Sequence, residues 1–196
     1  MISRSVFWVL LGTVILSPIP FGSIFPWSYT MMAAIVAVLI GLWSLDILFS
    51  GAPPPVTLKM ISFPAATFSL VLTWIAVQAA SWTPPAWHNP AWQETAALLG
   101  LELQGSIAVN PYASETALMR LLTYAGIFWL SAQYGRDPAN ARKVLWCIAL
   151  AGIAYASYGL SIYTSGNKTI LGYAKWAFPG DLTSTFVGRA AYGAYA

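Results

Sequence analysis

Residues 27–49 read WSYTMMAAIVAVLIGLWSLDILF, an apolar run broken by one charge, Asp46. A bilayer-spanning helix needs about 20 mainly apolar residues, and this stretch supplies them. It places the chain in lipid. The rest of the composition agrees: the 196 residues are 58% hydrophobic and 8% charged, with a mean hydropathy of +0.67. Soluble domains carry roughly 25% charged residues, so these few charges cannot clothe a water-facing surface.

Working outward, four more stretches have the same character. They run over residues 5–21, 61–82, 115–134 and 144–163, and a sixth begins near Phe186. Pro18 and Pro20 should kink or end the first. The linker to residues 27–49 is only GSIFP, so the first two form a helical hairpin. Arg4 before an apolar core looks like a signal peptide. No small-x-small site followed by a polar region appears, so the segment reads as an uncleaved first helix. The expectation is an all-α polytopic bundle, one domain over 1–196, with five full spans and the start of a sixth.

Orientation follows from Lys and Arg in the short loops. With the N-terminus cytoplasmic, Arg4, Lys59, Arg136, Arg142 and Lys143 lie inside, and Lys168 and Lys175 outside. Loop 83–114 holds neither Lys nor Arg. Loops 83–114 and 164–185 are then periplasmic, and the expected location is a bacterial inner membrane. Within the first of them, TPPAWHNPAW (83–92) alternates Pro with Trp. ETAALLGLELQ (94–104) suits a short amphipathic helix lying on the membrane. Asn110-Pro111 signals a turn, and Ser114 is placed to cap the next helix.

The nine Lys and Arg are scattered and the net charge is +3, which argues against nucleic acid. The single Cys147 excludes an internal disulfide and a Cys-based metal cluster. Its bland reading is a small buried hydrophobe.

Ionisable groups inside a span are expensive and are therefore functional candidates. Arg120 lies about two turns into the fourth span. It either snorkels to headgroups or faces a cavity and binds an anion such as phosphate. Asp46 lies one turn from the inner interface, where a polar contact or hydration satisfies it. Arg189 stands where the sixth helix starts, and its guanidinium suits a lipid phosphate because its fork bonds two oxygens. His88 is the only histidine. It is a weaker candidate, either a general base or pigment ligand, or simply a loop residue among tryptophans. No second ligand makes a metal site, and no catalytic residue stands out. Gly152, Ala156 and Gly159 share one face of the fifth span, a small-residue surface that allows close approach of another transmembrane helix.

Two stretches, with the aromatic loop before them, carry a resemblance. They are NPYASETALMRLLTYAGIFWLSAQYGRD (110–137) and LAGIAYASYGLSIYTSGNKTILGYAKWAFPGDLTSTFVGR (150–189). They resemble the O-antigen ligase/polymerase family of bacterial membrane proteins, whose corresponding pieces read like NPYAT…LLRLLAY and GDLTGTFVNRNHFATY. The resemblance covers residues 80–196 and, by hydropathy alone, the helices before them. It implies a multi-span transferase moving a glycan from undecaprenyl pyrophosphate to lipid A–core or to a growing polysaccharide, without metal or cofactor. It aligns Arg189 and Arg120 with family arginines that gather the pyrophosphate. The chain departs from the pattern at Gly188-Arg189-Ala190-Ala191, where the family often has Asn-Arg-Asn-His. It also stops at Ala196, before the family's large periplasmic loop, so alone it is not expected to catalyse transfer. The competing expectation is an inert, truncated relative serving as a structural subunit of a larger membrane complex. A channel or carrier is weaker, because no ring of charges or broken-helix pair is visible.

Overall fold

In the computed structural model, residues 2–195 are described, with the side chains of residues 3–194; Ala196 lies outside them. The architecture is all-α apart from one tiny hairpin. Helices run α1 (Ile2–Leu16), α2 (Pro26–Ser50), α3 (Ser62–Ala79), α4 (Pro90–Leu99), α5 (Pro111–Tyr134), α6 (Pro138–Thr164) and α7 (Arg189–Tyr195). Strands β1 (Thr169–Ile170) and β2 (Tyr173–Ala174) pair antiparallel. Their turn residues Leu171 and Gly172 have φ of 49° and 86°, the left-handed pair that a tight hairpin demands.

The starts of α4, α5 and α6 share one chemistry. Asn89 Oδ1 accepts from the Ala91 N–H, Asn110 Oδ1 from Ala113, and Asp137 Oδ1 from Ala139. Each is followed by a proline whose missing N–H costs nothing at the first helical position. The expected turn at Asn110-Pro111 is therefore a helix start, and Asn110 rather than Ser114 is the cap. Ser114 lies inside α5, its N–H bonded to the Asn110 carbonyl. Likewise α4 opens at Pro90, earlier than the expected 94, and Gly100 ends it with φ 62°.

Three helical segments are long and apolar enough to cross a membrane among the described residues: Pro26–Ser50, Leu58–Ala79 and Pro138–Thr164. The second joins a 3-10 turn, Leu58–Ile61, to α3. The other two expected spans fall short for different reasons. α1 has 15 residues, about 22 Å at 1.5 Å per residue. α5 has 24 residues, but Glu115, Arg120 and Gln133 dilute it. The sixth helix opens at Arg189, after Phe186, and has seven residues.

The chain divides into two compact units. The first comprises Met1–Pro55 and Gly126–Ala196. Its core is Val6, Leu10, Leu39 and Leu130, with Ile35, Ile40, Trp43, Ile127 and Tyr134 packed around it. α1 and α2 lie against each other, as the short linker requires. Gly126 lets α5 close on α2: a Cβ there would lie 2.6 Å from Val36 Cγ1. The second unit is Val56–Ala125. It holds α3, α4 and the first part of α5, and none of the α3 residues is buried.

Candidate functional site

Arg189 belongs to the first unit, in a cap built after α6. The Tyr158 hydroxyl accepts the Leu171 N–H at 2.7 Å and so ties the hairpin to α6. Residues 183–186 are buried. Ser184 Oγ donates to the Tyr155 carbonyl at 2.8 Å, and Tyr155 Oη donates to the Ile15 carbonyl at 2.8 Å. This chain of bonds fixes the TST stretch to α6, and α6 to the end of α1. Gly159 makes the approach possible, since a Cβ there would meet Ser184 Cβ at 2.9 Å.

The small-residue face of α6 is thus used differently along its length. Gly159 is buried under the loop, whereas Ala156 is exposed and Gly152 has nothing near its missing side chain. Phe186 closes the cap from the other side. Its ring stands over Gly22, where φ is 68° and a Cβ would lie 2.6 Å from Phe186 Cδ1. The α1–α2 turn around Gly22 is left-handed at Phe21 and Ser23 too, an uncommon state for non-glycine residues. A hydrogen bond from Ser23 Oγ to the Ser17 carbonyl and ring contacts of Phe21 with Phe25, Tyr173 and Trp176 hold it there.

On this scaffold sit the charges. Lys175 Nζ donates to the Asp181 carbonyl at 2.9 Å, and Arg189 Nε lies 3.7 Å from Asp181 Oδ2. The Arg189 side chain is 77% exposed. An ion pair this long and this open is weak. It leaves the guanidinium open to solvent with its hydrogen-bonding capacity unspent, while Lys175 is tied to the carbonyl of the same Asp181. Sequence reasoning singled out Arg189 but missed Lys175 and Asp181. Their signal was charge clustered within the GDLTSTF neighbourhood.

Arg120 and His88 belong to the second unit. Arg120 is half-buried on α5. Because α5 opens at Pro111, it stands about two and a half turns from the helix end, deeper than the sequence suggested. Asp46 is half-buried on α2, in the first unit.

His88 occupies a built pocket. Its Nε2 lies 2.9 Å from the Thr83 carbonyl and 3.1 Å from Thr83 Oγ1. The carbonyl can only accept, so Nε2 carries the proton and, in the neutral ring, Nδ1 keeps its lone pair. Thr83 Oγ1 itself donates to the Ala80 carbonyl. Gly105 packs on the ring: a Cβ there would lie 2.7 Å from Nδ1. The loop is pinned by the Asn89 N–H to the Ser106 carbonyl, the Ala108 N–H to the Gln78 carbonyl, and Trp92 Nε1 to the Ala108 carbonyl. A groove of about 530 Å³ runs along it, with His88 in its wall.

No cluster of three or more His, Cys, Asp or Glu side chains is placed to hold a metal among the described residues. Comparison with protein-family models, with curated proteins and with solved structures finds no match.

Proposed function

We propose that the chain is the N-terminal membrane part of a glycan transferase of the O-antigen ligase kind, multi-pass in a bacterial inner membrane. Such a protein moves a glycan from undecaprenyl pyrophosphate to lipid A–core or to a growing polysaccharide. The resemblance in residues 110–137 and 150–189 suggests the family. The observation that carries the reading to a site is the Lys175–Asp181–Arg189 group on the buried TST loop. Bond breaking at a pyrophosphate develops negative charge on the leaving group, and fixed cations stabilise it. An exposed guanidinium can bond phosphate oxygens in pairs, and an incoming phosphate readily displaces the loose contact to Asp181. Arg120, in the second unit, is proposed separately as a phosphate-binding cation.

The test is lipid binding by the full chain in nanodiscs, with undecaprenyl pyrophosphate and undecaprenyl phosphate as probes. The expected result is preference for the pyrophosphate, and a loss of about tenfold or more in Arg189→Ala, the size of one charge-assisted contact. Because Arg189 is exposed, the variant keeps its fold. Equal retention of both lipids, unaffected by Arg189→Ala, would sink the reading.

One observation favours a second reading, a structural subunit of a larger membrane complex. Gly152 and Ala156 remain uncovered on α6, and such a surface accepts a partner helix at close range. Gly152→Leu should then release the partner chains on purification from native membrane. Unchanged co-purification would count against it.

A further inference from the structure

The groove beside His88 differs in kind from two cavities of the first unit. These two are lined mostly by apolar side chains such as Val9, Leu16, Met31 and Ile148, surfaces suited to acyl chains. The groove of the second unit is lined by Trp82, Trp92, Gln93, Gln104, His88 and Ser81, among others, with no Asp, Glu, Lys or Arg in its wall. Its volume of about 530 Å³ is in the range of sites for small molecules.

We propose that this groove is a saccharide site that takes a neutral pyranose unit. The indole face is electron-rich, and the C–H bonds on one face of a pyranose present weakly positive hydrogens to it. The hydroxyls around the ring's edge need both donors and acceptors, and the amides of Gln93 and Gln104 offer both. A lipid phosphate would instead call for cations, and the wall supplies none.

The site is assembled before any ligand arrives. Trp92 is locked by its Nε1–H bond to the Ala108 carbonyl, and His88 by Thr83 and by the close approach of Gly105. Preorganisation lowers the ordering cost of binding. Trp82, 76% exposed, is left to close over a sugar. The inference rests on the glycan reading above for its place in a reaction, since such a groove would take a sugar unit of the glycan.

The experiment is saturation-transfer NMR on the full chain in nanodiscs. The probes are glucose, galactose and N-acetylglucosamine, with glucuronate and glycerophosphocholine as charged comparisons. The expected result is saturable binding of at least one neutral sugar, weakened about three- to tenfold in Trp82→Ala, the size of one aromatic contact, and weakened also in Gln104→Ala. Both side chains are exposed, so both variants keep the fold. Arg189→Ala should leave sugar binding intact while it lowers undecaprenyl pyrophosphate binding, so the two readings fail separately. Absence of saturable binding by any neutral sugar overturns the inference. So does binding that both groove variants leave unchanged, or a response to glycerophosphocholine as strong as that to the sugars.

Discussion

α2 and α3 look alike as strings of apolar residues, but they meet different surroundings. α2 presents Ser28, Val36 and Leu39 to a buried contact, and Leu39 joins Val6, Leu10 and Leu130 in the core of the first unit. α3 buries none of its residues, and Leu70, Phe63 and Trp74 stand exposed along it. The difference teaches that hydropathy reports the solvent a helix tolerates, not the partner it packs on. In lipid the apolar side chain gains little by leaving the solvent, so helix contacts depend on shape and small residues. Gly126 and Gly159 mark such contacts; α3 contains no glycine.

α3 should therefore be sensitive to polarity and indifferent to size, while the first unit's core should be sensitive to size. Leu70→Asp, near the middle of α3, gives the largest effect: about 2.5–3.5 kcal/mol against membrane insertion, read by a glycosylation-based insertion assay. Normal insertion would mean that α3 does not face hydrocarbon, and the comparison would collapse.

Next is Leu130→Ala. Leu130 is fully buried, and its truncation should cost about 2 kcal/mol, the low end of the range for soluble cores, because lipid replaces water as the reference. Reversible unfolding in bicelles measures it. Leu70→Ala in the same assay should stay within about 0.5 kcal/mol; equal losses at the two positions would erase the distinction.

The smallest effect sharpens the account of the first unit alone. Tyr155→Phe removes the hydroxyl that reaches the Ile15 carbonyl and should cost about 0.6 kcal/mol, the average for such bonds in membranes. A loss several times larger would mean that this bond and the Ser184 bond to Tyr155 form one cooperative unit.

Several elements were legible beforehand because they rest on local chemistry. The apolar run of 27–49 is α2 almost to the residue, extended by Pro26 and stopped by Gly51 in a left-handed cap. The start of α5 was misplaced because Asn110-Pro111 has two local meanings: a turn and a capped helix start use the same side-chain hydrogen bond. The sites were legible only as isolated letters. His88 stood out for being single, but nothing in the sequence tells that Thr83 orients it or that Gly105 lies against its ring. Arg189 was found, and Lys175 and Asp181 were not, because their meeting depends on how residues 175–189 fold back.

The sequence alone determined the all-α class and the three long apolar helices, since these are set by composition, by residues a few positions apart and by the cost of exposing backbone to lipid; the β1–β2 hairpin was not read from it. The tertiary structure alone decided which apolar faces touch, where the TST loop is buried, and that indoles, amides and a histidine line one groove. Those depend on shape fit between segments as distant as Ile15 and Tyr155. In a chain whose helices are apolar on nearly every side, no periodicity announces such a fit.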